Sequence, residues 1–398
     1  MANMQTVAVH AGARQAQPDY HPVVPPLYQS VAYYYDDMAD LDAVFGGEAD
    51  GYVYARYGSP TVTAFEEAVA ALESAPAGVA FASGMAAMHA ALLTAGVRSG
   101  SNVVCATDVY GATYALLARL LSDLGVQSTF VDVCNLDAVR MAIESCRPAA
   151  VVCETLSNPL LRVANIPALA TMAHANGGQL VVDNTFATPY LCRPLSEGAD
   201  LVVHSVTKYL AGHGDVLAGI VLSSTEQAHT MRENQKLLGA NLAPEPAWLA
   251  HRGLRTFFLR VREQFTNAQL VAEWLARQPG IDRVHYPGLA SHPQHELAAR
   301  LFADRGFGGM MSFELRGADR VQVFRFMDAL RMVLPATTLG DVFSLVLYPA
   351  HSSHRPMPPE MRAALGITDG LVRLSTGIEA PGDIIADLAQ ALASIGIA

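Results

Sequence analysis

Seven short apolar segments alternate with helical patterns through the middle of this chain, and this alternation constrains the fold more than any other feature. Several segments are apolar on both faces, as a parallel sheet covered by helices requires. Between them lie helical patterns such as PALATMAHANGG, which begins with a proline and ends with two glycines. The sequence therefore predicts an α/β domain with a mostly parallel, seven-stranded sheet. The predicted strands are GVAFAS, NVVCAT, QSTFVDV, AAVVCET, QLVVDNT, LVVHSV and LAGIVLSS.

The segments on either side of this region have a different character. Residues 1–56 carry prolines at positions 18, 22, 25 and 26 and three consecutive tyrosines at 33–35, which is poor material for a self-contained core. We expect them to form an irregular arm that lies on a neighbouring subunit. From about residue 252, long helical patterns such as AQLVAEWLARQPG mix with isolated strands such as GGMMSFELRG. We therefore expect the α/β domain to span residues 57–251 and a smaller α+β domain to span residues 252–398.

Composition and charge narrow the class of protein. The chain has 398 residues, of which 51% are hydrophobic and 16% charged, and this fits a well-buried protein of two domains. Its formal net charge is -11 without a basic block, so we expect no nucleic-acid partner. No run approaches about 18 apolar residues and the N-terminus lacks a signal-peptide core, so we expect no membrane segment. The five cysteines include no CxxC pair, which favours reduced core residues of a cytoplasmic protein and no metal site.

Polar residues follow several predicted strands, at the edge where an open parallel sheet collects its ligand-binding residues. Ser83, Gly84 and Met85 stand where a strand runs into a helix, and the free N–H groups of a helix N-terminus suit a phosphate. A serine at this place is also an ordinary helix cap. Asp183 follows the apolar run QLVV, where a carboxylate either caps a turn or faces a cationic group. Taken alone, each position leaves both interpretations open.

The stretch HSVTKYLAGHGD places Ser205, Thr207 and Lys208 directly after another predicted strand. A lysine here is ordinarily a surface residue whose aliphatic stem covers apolar neighbours. A desolvated lysine instead has a lowered pKa, and its neutral amine forms a Schiff base with an aldehyde. Tyr110 lies at a strand-to-helix junction, where its ring either packs in the core or covers a flat ligand.

Together these positions predict one ligand that is flat, aldehydic, phosphorylated and equipped with a ring nitrogen. Pyridoxal 5'-phosphate has all four properties. Its aldehyde carbon requires a lysine, its pyridine nitrogen requires a carboxylate, and its phosphate requires hydroxyl and N–H groups. Between Asp183 and Lys208 there is room for one helix and one strand, so both side chains can project into one cleft from neighbouring strand ends.

Eight motifs resemble those of the Cys/Met-metabolism family of pyridoxal-phosphate enzymes, which includes cystathionine γ-synthase, cystathionine γ-lyase, methionine γ-lyase and the homoserine sulfhydrylases. The resemblance extends over nearly the whole chain, from HAG at His10 and PPLYQS at Pro25 to RLSTGIE at Arg373. It implies a type I aminotransferase-like fold and a homotetramer built from two catalytic dimers. The motifs, in family order, are YARYGSPT, ASGMAA, VYGAT, ETLSNPL, VDNTFATPY, HSVTKYLAGHGDVLAG, AWLAHRGLRT and RLSTGIE.

The resemblance also implies a role for each candidate residue. Lys208 would bind the aldehyde carbon of the cofactor and later carry protons, while Asp183 would pair with the pyridine nitrogen and Tyr110 would stack on the ring. Arg373, with Asn158 nearby, would grip the substrate α-carboxylate through the fork of its guanidinium. The phosphate would be held by Ser83, Gly84, Met85, Ser205 and Thr207, together with Tyr54 and Arg56 from the neighbouring subunit.

Several departures from the family pattern bear on the substrate. The stretch ATTLGDVFSL has Thr337 where members that act on cystathionine often carry a glutamate, and Thr338, a predicted substrate-site residue, where serine is usual. Ala112 replaces the cysteine usual in methionine γ-lyase, and Phe343 stands where a glutamate is common. The LGD and GHGD motifs are nevertheless most similar to methionine γ-lyase.

We therefore expect a C–S lyase that acts by γ-elimination on small amino acids, either methionine-like or homocysteine- or cystathionine-like. The alternative within the family is γ-replacement on O-acetyl- or O-succinylhomoserine. Two further classes stay open, a catalytically idle pyridoxal-phosphate binder and an aminotransferase. The idle binder is disfavoured because it has no need of a substrate clamp such as Arg373.

Overall fold

The computed structural model describes residues 21–352, 354–355 and 359–396. The first twenty residues of the predicted arm, including the HAG motif, lie outside the described residues. Helix α1 spans Met38–Gly46, where the sequence predicts irregular structure. Its caps account for it, because the Asp37 side chain accepts the backbone N–H of Ala39 and Gly47 ends the helix at φ 75°. No residue of α1 is buried, so hydrophobic patterning gives no signal for this helix.

The seven predicted strands form one sheet. They are β1 (Ala77–Phe81), β2 (Asn102–Ala106), β3 (Gln127–Val131), β4 (Ala150–Glu154), β5 (Gln179–Asp183), β6 (Leu201–Ser205) and β7 (Gly219–Ser223). Their order across the sheet is β1-β7-β6-β5-β4-β2-β3, and only β7 runs antiparallel to its neighbours. Strands β4 and β7 are buried along their whole length, in agreement with their apolar sequences. The prediction of a mostly parallel, seven-stranded sheet is confirmed.

Helices connect these strands, and several of them begin at a side-chain cap. They are α2 (Pro60–Glu73), α3 (Gly84–Thr94), α4 (Gly111–Ala115), α5 (Leu136–Cys146), α6 (Ile166–Ala175), α7 (Thr188–Leu191), α8 (Thr225–Leu238) and α9 (Pro244–Leu254). Helix α4 continues into a π-helical segment, Leu116–Leu121. Ser83, Asn135 and Asn165 each accept the backbone N–H three residues further on, and so fix the first turns of α3, α5 and α6.

The C-terminal part of the chain forms a second sheet, with strand order β10-β11-β12-β9-β8. Its elements are α10 (Phe257–Leu275), β8 (Ile281–His285), α11 (His295–Phe302), β9 (Met310–Leu315), α12 (Arg320–Ala329), β10 (Leu334–Pro335), β11 (Leu345–Leu347), α13 (Pro359–Leu365), β12 (Leu371–Ser375) and α14 (Pro381–Ser394). Helix α10 joins the two hydrophobic cores, since Val261 packs in the first core and Val271 in the second. None of the helices in the described part of the chain has the length and apolar character needed to cross a membrane.

The parallel strands β4, β5 and β6 end at the same edge of the large sheet. Their last residues are Glu154, Asp183 and Ser205, and Glu154 lies opposite Asp183 in the register of β4 with β5. The turn that follows β6 carries Lys208 to the same edge. Sheet topology thus gathers residues that are far apart in the sequence.

Candidate active site

A cavity of about 450 Å³ opens at this edge and extends to the second sheet, a size typical of small-molecule sites. Thr338 reaches the same region through a contact with Lys208. Tyr54 and Arg56 lie outside the cavity of their own chain. Ten of the predicted site residues line the cavity, namely Ser83, Gly84, Met85, Tyr110, Asn158, Asp183, Ser205, Thr207, Lys208 and Arg373.

The Lys208 amine lies inside the cavity and not at the protein surface. Its Nζ atom donates a hydrogen bond to Thr338 Oγ1 at 2.9 Å. Burial lowers the pKa of Lys208 to about 8, the positive charge of Arg373 lowers it further, and Asp341 opposes both effects. A substantial fraction of the amine is therefore neutral near pH 8, and this is the form that acts as a nucleophile or a base.

Asp183 ends β5 with its carboxylate in the cavity wall. Its Oδ1 atom accepts the backbone N–H of Thr185 at 2.9 Å. Burial raises the pKa of Asp183, while the bonds from Thr185 and the nearby His204 lower it. The imidazole of His204 is itself fully buried, with Nε2 2.6 Å from Glu73 Oε1. Asp183 thus has the position and the surroundings to bind a cationic ring nitrogen.

The residues predicted to hold a phosphate meet where β1, β6 and β7 converge. Ser83 caps α3, and its Oγ atom accepts the backbone N–H of Ala86 at 3.1 Å. A Cβ atom on Gly84 would lie 2.9 Å from Cβ of Ser205, and one on Gly219 would lie 2.3 Å from the Ser83 carbonyl oxygen. Only glycine permits this close approach at both positions. The result is a compact cradle of hydroxyls at a helix N-terminus.

Tyr110 and Asn158 are held by the same buried side chain. Tyr110 directly precedes α4, and its ring is 43% exposed in the single chain. The Oε1 atom of Glu154 accepts the backbone N–H of Tyr110 at 2.5 Å, and Oε2 accepts that of Asn158 at 3.1 Å. Glu154 also lines the cavity. The sequence analysis missed Glu154, although it stands first in the motif ETLSNPL.

Arg373 reaches the cavity from the middle of β12 in the second sheet. Its side chain is buried, and Nη1 donates to Asn158 Oδ1 at 3.1 Å while Nη2 donates to the Thr338 carbonyl oxygen at 3.4 Å. Burial lowers the pKa of Arg373 to about 10, so the guanidinium stays charged at neutral pH. A buried arginine in a cavity suits a small carboxylate.

The loop that carries Asn158 is held by side chains of the C-terminal region. Ser312 of β9 donates its hydroxyl to the Pro159 carbonyl oxygen at 2.6 Å, in a fully buried contact. His292 forms a hydrogen bond with the backbone of Leu161, and burial lowers the pKa of this imidazole to about 4. The substrate loop therefore depends on both sheets for its position.

Tyr54 and Arg56 lie at the end of the arm, away from the residues that line the cavity. The Arg56 guanidinium donates to the Lys236 carbonyl oxygen and lies 5.5 Å from the centre of the Tyr54 ring. The Asn241 side chain donates to the Arg56 carbonyl oxygen at 2.6 Å. Within one chain these two residues have no access to the cradle.

Of the residues expected to influence specificity, only Thr337 lines the cavity, and Phe343 is 51% exposed. Ala112 lies in α4 outside the lining. The sequence analysis did not single out the apolar part of the wall, which includes Leu156, Leu217, Leu339 and Leu347. Single leucines carry no chemical signal in a sequence this rich in apolar residues.

These groups fit pyridoxal 5'-phosphate. The cavity presents a neutral amine for its aldehyde carbon, a buried carboxylate for its ring nitrogen, and a hydroxyl-lined helix N-terminus for its phosphate. Close packing at Gly84 and Gly219 keeps the cradle accessible to backbone contacts, since larger residues would fill it.

Comparison with known proteins agrees with this chemistry. The chain is 43% identical over 393 residues to the L-methionine gamma-lyase of Fusobacterium nucleatum subsp. polymorphum, with 98% of each chain covered. It is 42% identical over 396 residues to the O-succinylhomoserine sulfhydrylase of Pseudomonas aeruginosa, covering 99% of this chain and 96% of that protein.

Solved structures support the fold as well. The crystal structure of cystathionine gamma synthase from Xanthomonas oryzae pv. oryzae, in complex with aminoacrylate and cysteine, matches with a TM-score of 0.89. The sequences are 38% identical, and the match covers 100% of this chain and 99% of that one. The family model described as Cys/Met metabolism PLP-dependent enzyme matches residues 5–393. The chain therefore belongs to the Cys/Met-metabolism family of pyridoxal-phosphate-dependent enzymes.

Proposed function

We propose that this enzyme is a C–S lyase that catalyses γ-elimination from methionine-like amino acids, releasing a thiol, a 2-oxoacid and ammonia. The observation that carries the proposal is the apolar cavity wall beyond Lys208 and Arg373, formed by Leu156, Leu339 and Leu347 with Thr337. An apolar wall favours an uncharged thioether or thiol side chain. It disfavours the charged distal end of cystathionine, because a charge there would lose its hydration without gaining a partner.

The second candidate is γ-replacement on O-acetyl- or O-succinylhomoserine. It is favoured by the similarity to the O-succinylhomoserine sulfhydrylase and to the cystathionine gamma synthase. Both reactions need the same grip on the amino-acid end of the substrate. They differ in whether a second thiol enters before the product leaves.

The proposed roles follow from the geometry of the cavity. When bound, pyridoxal 5'-phosphate supplies the sink for the electron pair released at the substrate Cα atom. Lys208 holds its aldehyde carbon, Asp183 keeps the ring nitrogen protonated, and the residues of the cradle bind its phosphate. Arg373 and Asn158 hold the α-carboxylate of the substrate and so fix the orientation of Cα.

The proton transfers fall to two side chains of the chain. Once free, the Lys208 amine, with its pKa near 8, removes the Cα proton, and Thr338 fixes the position of Nζ through the 2.9 Å contact. Tyr110, at the start of α4, handles the proton at the departing sulfur or oxygen. Removing the Lys208 amine, as in Lys208→Ala, is expected to abolish turnover with every substrate.

We propose further that the enzyme is a cytoplasmic homo-oligomer, a dimer of catalytic dimers, in which the arm of residues 1–56 crosses to a neighbouring subunit. The arm exposes large apolar side chains in the single chain, with Val23 at 99%, Tyr34 at 71% and Phe45 at 61% exposure. Such a surface is typical of an interface. The domains proposed for residues 57–251 and 252–398 correspond to the two sheets.

In this arrangement Tyr54 and Arg56 complete the phosphate site of the partner. Arg56→Ala is then expected to reduce cofactor retention after gel filtration while the midpoint of urea-induced unfolding of the apoenzyme changes little. Unchanged cofactor content in Arg56→Ala would exclude this role.

The reaction is tested by incubating the holoenzyme separately with L-methionine, L-homocysteine, L-cystathionine and the two homoserine esters, each with and without cysteine or sulfide. Thiol and 2-oxobutanoate released from L-methionine or L-homocysteine alone support the lyase. Thioether or homocysteine formed only from an ester plus a thiol overturns it in favour of γ-replacement. A stoichiometric pyridoxamine form that needs an oxoacid for turnover identifies an aminotransferase, and no reaction with any substrate identifies an idle binder.

A further inference from the structure

Glu154, the last residue of β4, is a buried carboxylate in the cavity wall with no role in the chemistry described above. Its two oxygens accept hydrogen bonds from the backbone N–H groups of Tyr110 and Asn158, at 2.5 and 3.1 Å. We propose that Glu154 is a positioning residue, which holds the start of α4 and the substrate loop in register with each other. The proposal deepens the proposed function and rests on its assignments of Tyr110 and Asn158.

A carboxylate suits this position because two donors approach it from different segments. Each oxygen of a carboxylate accepts hydrogen bonds, whereas an amide side chain offers only one acceptor oxygen and turns an NH₂ group towards the other donor. The two bonds bridge 44 residues in one direction and 4 in the other. One rigid group at a strand end therefore ties together two segments that are not otherwise joined in sequence.

The surroundings of Glu154 oppose a charge, so a structural role alone does not account for a glutamate here. Burial raises the pKa of Glu154 well above its usual value, and the neighbouring Asp183 raises it further, while the two backbone bonds lower it. Glu66 offers a contrast, since it is also buried and accepts the backbone N–H of Ala80 at 2.7 Å. Arg232 neutralises Glu66 through two contacts at 3.0 and 2.8 Å. At Glu154 the charge is balanced by backbone donors, and those donors belong to the site.

Loss of either bond is expected to change the site through the residue that the bond holds. The ring of Tyr110 is exposed, so its direction is fixed chiefly through its backbone. The side chain of Asn158 accepts from Arg373 at 3.1 Å, so a shift of the Asn158 backbone also disturbs the partner of the guanidinium. Glu154 thus acts on the cofactor side through Tyr110 and on the carboxylate side through Asn158.

The test compares the holoenzyme variants Glu154→Gln and Glu66→Gln, which make the same substitution in two buried glutamates that both accept a backbone N–H. The first readout is the visible circular dichroism of the bound cofactor without substrate, which depends on the ring environment. The second is the split between KM and kcat for the best substrate. For Glu154→Gln we expect an altered dichroism band and a rise in KM of about tenfold, because one buried N–H loses its acceptor.

Glu66→Gln is expected to lose more stability, because it also breaks the pair with Arg232, yet to retain the wild-type dichroism and KM. Wild-type dichroism and KM in Glu154→Gln would overturn the proposal, as would the same changes in Glu66→Gln. If Glu154→Gln yields no folded protein, Glu154→Asp takes its place, because it keeps the charge but draws both oxygens back from the amides. If the wild type turns over no substrate, the proposed function fails, and the dichroism comparison alone decides the role of Glu154.

Discussion

Arg373→Lys preserves the positive charge at the proposed carboxylate grip but removes the fork. Arg373 is only 3% exposed, and its two terminal nitrogens point to Asn158 Oδ1 and to the Thr338 carbonyl oxygen. A lysine ammonium is a single point charge and cannot keep both contacts while it also offers two parallel donors to a carboxylate.

The size of the effect follows from the bond that is lost. A hydrogen bond between charged groups contributes about 1.5–3 kcal/mol, and about 1.4 kcal/mol corresponds to a factor of ten in affinity. Losing one of two such bonds to the α-carboxylate is expected to raise KM by about 10- to 100-fold. The value of kcat is expected to change less, because Lys208 and Tyr110 remain in place, and a rise in KM alone indicates lost binding of the ground state and transition state alike.

The assay is the initial rate of 2-oxoacid release over a wide range of substrate concentrations, at equal cofactor occupancy. Arg232→Lys is the matched control, since Arg232 also makes a forked contact, with Glu66 at 3.0 and 2.8 Å, but lies outside the cavity lining. This control is expected to lose stability and keep its KM. A KM for Arg373→Lys within about twofold of the wild type, below the factor expected for one charged bond, would refute the assignment of Arg373 as the carboxylate grip.

Two further predictions concern the cofactor site. Because burial lowers the pKa of Lys208 from 10.5 to about 8, folding of the apoenzyme is penalised most below pH 8, and the penalty fades as the pH rises towards 10.5. Urea-induced unfolding should therefore find apo Lys208→Met more stable than the wild-type apoenzyme below pH 8, with a difference that shrinks at higher pH; a constant difference would contradict the shift. Gly219→Ala places a Cβ atom 2.3 Å from the Ser83 carbonyl oxygen and should reduce bound cofactor after dialysis, whereas Gly382→Ala, with no atom within 4 Å, should retain it. Equal retention in both variants would show that the cradle tolerates the displacement.

The sheet and the residues at its edge were predictable because apolar periodicity and chain order together determine where parallel strands end. Lys208, Asp183 and Ser83 each have an ordinary explanation alone, and their convergence follows only from the rule that ligands bind at the carboxyl ends of such strands. Helix α1 escaped prediction because it buries nothing, so its caps are the only local signal.

Other parts of the site lay beyond the reach of sequence reasoning for a different reason. Glu154 binds backbone N–H groups, which every residue type except proline offers, so no partner side chain marks it in the sequence. The contact of Lys208 with Thr338 joins residues 130 positions apart and depends on how the second sheet packs against the first. Such contacts are set by tertiary packing and have no local pattern.

The substrate loop has a consequence for the order in which the enzyme becomes competent. Asn158 follows a strand of the first sheet, yet Ser312 holds the loop and Arg373 holds the Asn158 side chain, and both belong to the second sheet. A nascent chain that has completed only the seven-stranded sheet therefore already has the lysine and the phosphate cradle but lacks the proposed carboxylate grip. We expect such a chain to be able to capture the cofactor before it can recognise an amino acid, so that recognition of the substrate also reports that folding is complete.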